Sequence, residues 1–328
     1  MISNKKAPLT VYAPASMGNV GVGFDLLGAA LAPIDGSLLG DKVRISESQG
    51  GNLAEGLSNT KGEVIFSQTG IWCHKLPSNP EDNIVYQCAR FFLEKLGLHT
   101  DIAVNLEKNL PVGSGLGSSA SSVVAALYGL NEYFDSPFGT QALLQLMGEF
   151  EGKISGSVHY DNVAPSYLGG MQLMLDSPTE LCAAIPHFKH WYWLVAYPGV
   201  SLSTAKMRAL LPAQYDKAVT IDFGRHLSAF VHASYSQNPK LAIEILKDVL
   251  AEPYRKDAIP GYIQACSALT ELGMLTTGIS GSGPTLFSIT DDIAVAEQAK
   301  VWLAQHYVSQ SGGFVHICRI DELGARRV

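Results

Sequence analysis

Apolar and polar residues alternate over 102–107, with Ile102, Val104 and Leu106 on one side, the pattern of a half-buried strand. Beyond residue 117 the period lengthens. Val123, Val124, Leu127, Leu130 and Phe134 share one face of a helix that should end before Pro137. Helical spacing also covers 84–96, with Gly97 as its stop, and 140–152. Leu9–Tyr12 reads as a strand, and 161–170 breaks into a loop. Strand-like runs follow at 171–175 and 191–197, then a helix from a Ser203 cap to Leu211, stopped by Pro212. Helices are expected at 224–235, 240–251 and near 260–272, and a strand at 286–289. Strands precede helices in both halves without strict alternation, which predicts an α+β chain. We place a domain boundary near 160–170, dividing it into 1–165 and 166–328.

Composition narrows the picture. The chain has 328 residues, 47% hydrophobic and 16% charged, enough for two buried cores and too apolar for disorder. A net charge of −7 speaks against a broad nucleic-acid surface. No apolar run approaches the roughly 18 residues of a membrane span. The segment Met1–Pro14 lacks the apolar core of a signal peptide. Five dispersed cysteines without a C-x-x-C pair suggest reduced thiols and a cytoplasmic protein, and argue against a zinc site.

Between the strand at 102–107 and the next helix lies Pro111-Val112-Gly113-Ser114-Gly115-Leu116-Gly117-Ser118-Ser119-Ala120-Ser121-Ser122. Strand, glycine loop and helix start together make an anion site. Glycines permit close backbone approach, and the first helical N–H groups lack partners. Ser118, Ser119, Ser121 and Ser122 offer hydroxyls to phosphate or magnesium. No lysine lies within the stretch, so it is not a Walker A loop, and its glycine spacing departs from the dinucleotide fingerprint.

Two further glycine-rich segments stand out, at 16–25 and 278–285. The phrases Gly-Val-Gly-Phe-Asp (21–25), Gly-Ser-Gly-Leu-Gly-Ser-Ser-Ala (113–120), His-Tyr-Asp-Asn-Val-Ala-Pro (159–165) and Gly-Ile-Ser-Gly-Ser-Gly-Pro-Thr (278–285) resemble the GHMP small-molecule kinase superfamily. Over essentially the whole chain the resemblance is to its homoserine kinase branch. It implies an N-terminal ribosomal-protein-S5-like domain, a ferredoxin-like C-terminal domain and an active site between them. The implied reaction moves the γ-phosphoryl of ATP, with Mg2+, to the side-chain hydroxyl of L-homoserine, in threonine biosynthesis. A homodimer is the implied assembly.

Through the resemblance, residues 111–121 become the nucleotide loop and Ser119 and Glu151 the magnesium ligands. The helical angle agrees: Glu149 and Glu151 point about 160° apart, and Glu151 falls on the side of Leu144 and Met147. Arg208 and Arg255 match the family's substrate arginines, suited to a carboxylate. Thr204 lies one helical turn from Arg208. Asn19 and Asp25 would hold the ammonium and hydroxyl ends, with His159 nearby. Asn162, Asp161 and Arg208 are the catalytic candidates. Asn162 stands where some relatives carry an aspartate base, so the resemblance implies transfer without a dedicated base. Positioning and charge neutralisation carry such a reaction. The cluster 278–285 is expected to close around substrate and steady the phosphate loop. Arg90 and Arg225 read as surface salt bridges.

Overall fold

In the computed structural model, residues 6–48, 62–177 and 179–328 are described; the start of the Met1–Pro14 reading lies outside them. The chain runs β1 (Leu9–Pro14), β2 (Ser16–Gly18), β3 (Leu27–Pro33), β4 (Gly40–Glu47), β5 (Val64–Thr69), α1 (Ile84–Lys95), β6 (Ile102–Glu107), α2 (Ser118–Tyr133), α3 (Thr140–Ser155) and α4 (Val163–Leu168). It continues through β7 (Met171–Met174), β8 (Cys182–Ile185), β9 (Tyr192–Tyr197), α5 (Thr204–Ala209), α6 (Lys217–Tyr235), α7 (Pro239–Ile245), α8 (Glu252–Arg255) and α9 (Tyr262–Glu271). The last elements are β10 (Thr276–Ile279), β11 (Leu286–Thr290), α10 (Ile293–His306), β12 (Phe314–Ile320) and β13 (Arg326–Arg327).

Two sheets organise these elements. The smaller has the order β13-β1-β4-β6-β5, with only β5 and β6 parallel. The larger has the order β10-β11-β9-β12-β3-β7-β8, with β2 on β3. The architecture is α+β, and the sheets exchange strands across residue 165. β3, early in the chain, pairs with β12, and the late β13 returns to β1.

Alternation places Ile102, Val104 and Leu106 of β6 inward, beside Val11, Val43 and Ile45. Helix α2 covers this face and is buried on most sides, because α1, α3 and α4 pack on its back. Small residues such as Ala125 and Ala126 let neighbours approach there. A second cluster, with Trp191, Trp193 and Phe287, packs on the larger sheet.

Several expectations need correction. The stretch 161–170 is not all loop, since α4 occupies Val163–Leu168. Its Pro165 stands in the first turn, where a missing N–H costs nothing. The helix expected at 240–251 ends at Ile245. Asp248 then turns the chain by accepting the backbone N–H groups of Leu250, Ala251 and Glu252. Helix α6 starts seven residues before the expected 224. All five cysteines are free thiols. Among the described residues no helix is long and apolar enough to cross a membrane.

Candidate functional site

The strand β6 ends at Glu107, and the loop after it leads into α2, whose N-cap is Gly117 with φ 60°. The first intrahelical donor is Ser121 N, to Gly117 O at 2.8 Å. The N–H groups of Ser118, Ser119 and Ala120 therefore precede the helix ladder and carry its positive end. Glycine is demanded here by protein neighbours as well as by any ligand. A Cβ on Gly115 (φ 85°) would lie 2.4 Å from Ser280 O, and one on Gly117 2.2 Å from Ser16 Oγ. A side chain at Gly115 would thus break the packing of two loops, beyond blocking an anion.

The four serines separate by role. Ser119 Oγ donates to Glu151 Oε1 at 2.6 Å. Ser118 Oγ donates to Leu110 O, and Ser122 Oγ to Asp41 Oδ2. Ser121 Oγ donates to Ala13 O and accepts Asp41 N. Helical spacing turns Ser121 toward β1 and β4, away from the cavity, so its hydroxyl is a structural tie rather than the phosphate contact expected of it.

A cavity of about 840 Å³ opens at this loop. Val112, Gly113, Ser114, Gly115, Gly117, Ser118 and Ser119 line it, whereas Pro111, Leu116, Ala120 and Ser121 do not. Glu151 reaches it from α3, while Glu149 is exposed and accepts from Gln145. Burial lifts the Glu151 carboxyl to about 7, Ser119 and Lys108 opposing the rise and Asp161 adding to it. Among the described residues no cluster of three or more His, Cys, Asp or Glu could hold a metal. A hydroxyl and a carboxylate 2.6 Å apart are nonetheless hard oxygen donors suited to magnesium. Its remaining ligands would have to come from phosphate and water.

Charged side chains gather on the same cavity. Asp25, with φ 56°, accepts a two-pronged pair from Arg208, at 3.0 Å (Nη1–Oδ2) and 2.9 Å (Nη2–Oδ1). His159 Nδ1 stands 3.7 Å from Asp25 Oδ2, and burial moves the imidazole below its usual range, favouring the neutral ring. Asn19 has turned inward. Its Oδ1 accepts Asp25 N at 3.0 Å and its Nδ2 donates to Gly281 O at 2.9 Å, so it shapes the first loop. Arg255 is only 2% exposed, with Nε on Met207 O and Nη1 on Gly281 O. Much of its donor capacity is spent on backbone, unlike that of Arg208. Both guanidinium carbons lie 5.6 Å from the Phe24 ring centroid, within cation–π reach of the same ring. Thr204 also lines the cavity and meets Ser282 Oγ at 3.3 Å.

Asp161 and Asn162 sit where the three glycine segments converge. Asn162 Oδ1 accepts from Ser16 Oγ at 3.0 Å, leaving its amide NH₂ as the donor. Asp161 is 4% exposed and packs so tightly on Gly18 that a Cβ there would lie 2.2 Å from its Oδ2. Burial, then Asp25, raises its carboxyl to about 7, against Arg208 and a backbone bond from Asn19. The third segment stitches the others. Ser280 Oγ donates to Gly115 O, Gly281 N to Gly18 O, and Thr285 N to Ser114 O. Arg90 and Arg225 form partly exposed pairs with Glu94 and Asp222 away from the cavity.

Sequence reasoning missed Lys108, Asp41 and the segment Lys75–Ile84. Lys108 and Asp41 form a buried ion pair beneath the glycine loop that leads into α2. From the segment, Leu76, Pro77 and Ile84 line the cavity, with Leu106 from β6. The one local signal was Asn83, whose side chain caps α1 through Val85 N.

Comparison with known proteins fits this geometry. The family model described as GHMP kinases N terminal domain matches residues 83–170, and that described as GHMP kinases C terminal matches 230–313. The chain belongs to the GHMP kinases and has their two-domain fold. A homoserine kinase from Cytophaga hutchinsonii ATCC 33406 is similar at 29% identity, covering 100% of this chain and 99% of that one, with a TM-score of 0.86. The mevalonate kinase of Methanococcus jannaschii shares the fold at 14% identity and TM-score 0.69, covering 97% and 99%. That of L. major, in complex with R-mevalonate, has 15% identity and TM-score 0.68, covering 97% of each chain.

Proposed function

We propose that this kinase transfers the γ-phosphoryl of ATP to the side-chain hydroxyl of L-homoserine. The observation that carries the reading is the Asp25–Arg208 pair on the same cavity as the α2 N-terminus. A substrate bearing an ammonium and a carboxylate can satisfy both members of that pair at once, whereas a hydroxy acid such as mevalonate satisfies one. The similarity to the Cytophaga homoserine kinase supports the same substrate.

In this reading Arg208 takes the carboxylate, aided by the positive field of Arg255, and Asp25 takes the ammonium. The N–H groups of Ser118 and Ser119, which line the cavity, receive phosphate oxygens. Leu76, Pro77, Ile84 and Leu106 offer apolar contact to the base. Ser119 and Glu151 would hold Mg2+, which when bound neutralises phosphate charge. The Asn162 amide donates to the transferring group. No base is required, because the acceptor proton leaves late in a loose transfer. Residues 1–165 supply the nucleotide loop together with Asp25, and 166–328 close over the acceptor through Arg208, Arg255 and the third glycine segment. The five free thiols suit a cytoplasmic enzyme of threonine biosynthesis.

The test is ADP release coupled to NADH oxidation, with L-homoserine, mevalonate, 4-hydroxybutyrate and 3-aminopropanol as acceptors at fixed Mg-ATP. Turnover should be greatest by far with L-homoserine. Preference for mevalonate or 4-hydroxybutyrate would refute the assignment.

A further inference from the structure

Lys108 follows β6 directly and is 1% exposed. Its ammonium makes three bonds: an ion pair with Asp41 Oδ2, one to Ser122 Oγ at 2.9 Å and one to Ser118 O at 2.7 Å. Asp41 is equally committed. Its Oδ1 accepts the backbone N–H groups of Asn109 (2.8 Å) and Leu110 (3.0 Å), and its Oδ2 also accepts Ser122 Oγ at 2.6 Å. The pair therefore fixes both ends of the phosphate loop, its entry at 109–110 and its exit at 118–122.

The bond to Ser118 O has a further consequence. In a trans peptide the C=O and N–H point in opposite directions. The Ser118 carbonyl faces Lys108, so the N–H of Ser119, on the same peptide, faces the open end of α2. A cation on the carbonyl oxygen polarises the whole unit and strengthens its N–H as a donor. Neither Asp41 nor Ser122 offers this, because neither side chain is a cation.

We propose that Lys108 is the positioning residue of the phosphate loop, holding a fixed positive charge behind the Ser118–Ser119 peptide and acting on bound phosphate through it. The lysine comes from the preceding strand and touches the loop from inside, where a Walker loop presents its lysine to the ligand directly. This rests on the phosphoryl-transfer reading above.

The experiment uses the full chain carrying Lys108→Met together with Asp41→Asn. Met keeps the unbranched lysine stem as far as the ε carbon and omits the ammonium, and Asn retains an oxygen for the two backbone N–H groups. Replacing both members of a buried pair avoids an orphaned charge. ADP and L-homoserine binding are measured separately by calorimetry, with melting temperature as the folding control. In a folded double variant, ADP binding is expected to weaken by roughly tenfold or more, the scale of weakening one hydrogen bond to a charged group, because the cation on Ser118 O is gone while the net charge is unchanged. L-homoserine binding should stay unchanged. Unchanged ADP affinity, or equal losses for both ligands, would overturn the proposal. Wild-type protein that binds no ADP would instead overturn the kinase reading itself. Should the double variant fail to fold, Ser122→Ala retains the charge and its bond to Ser118 O and is expected to bind ADP within about threefold of wild type. A loss of tenfold or more in that variant would overturn the role given to the charge.

Discussion

Two ion pairs border one cavity and live under opposite conditions. Lys108–Asp41 is sealed, both residues having 1% or less of their surface exposed. Arg208–Asp25 is open, with side chains 37% and 27% exposed. A sealed pair is held by the cost of orphaning either charge, about 3–5 kcal/mol when one partner is removed. An open pair is screened by water and contributes about 0–1 kcal/mol. The first therefore suits a permanent scaffold, and the second suits charges that must change partners. On the proposed function, the phosphate end is built before any ligand arrives, and Asp25 and Arg208 would hold each other until a ligand of both signs displaces them.

The largest expected effect breaks this contrast directly. Lys108→Met alone should lower unfolding stability by about 3–5 kcal/mol, measured by urea denaturation. Arg208→Ala should cost about 1 kcal/mol or less, yet raise the KM for L-homoserine strongly while leaving that for ATP nearly unchanged. Arg255→Ala falls between, losing stability as well as homoserine affinity, because its guanidinium also holds Met207 O and Gly281 O. Similar stability losses for Lys108→Met and Arg208→Ala would end the distinction between scaffold and exchangeable pair.

A second effect, next in size, concerns α3. Glu151→Gln should reduce kcat by roughly 10²–10³-fold, the scale of losing one fixed electrostatic partner of the transition state. Glu149→Gln should be close to wild type, since its side chain is exposed and meets Gln145. Steady-state kinetics over a magnesium titration separate the two. Equal, mild losses would remove Glu151 from the proposed metal site.

How much of this the sequence revealed depended on the range of the interactions involved. The passage from β6 to α2 was legible, because a period of two gives way to one near 3.6 within a few residues. The inward turn of Glu151 was legible from helical angle alone. Asp161–Gly170 was misread because Pro165 looks like a breaker unless the helix is known to start at Val163. The Lys108–Asp41 pair left no local sign. Its members are 67 residues apart, and a lysine after a strand ordinarily points to water. The same distance problem hid the strand exchange, since β3 and β12 pair from opposite ends of the chain. Arg255 was named for its motif, but its burial depends on Met207 and Gly281 arriving from elsewhere.

The smallest predicted effect sharpens the acceptor side. Burial raises the Asp161 carboxyl from its ordinary 3.8 to about 7. The folded protein thus holds a proton there that the unfolded chain releases more readily. That stabilising contribution is complete below about pH 4 and is lost as pH rises through about 7. Asp161→Asn keeps the shape and removes the titration. Its melting temperature should match wild type near pH 4 and exceed it modestly at pH 8. Some dependence of the same sign should survive in the variant, because Glu151 is also raised, from 4.5 to about 7. Turnover should persist in Asp161→Asn and fall by roughly a hundredfold in Asn162→Ala, which loses a hydrogen bond to the transferring group. Asp161 is pressed against Gly18 and accepts Asn19 N, contacts that fit the proposed role of holding the first loop rather than taking the acceptor's proton. A folded Asp161→Asn enzyme that binds both substrates normally but has lost its turnover would make Asp161 the base and reverse this assignment.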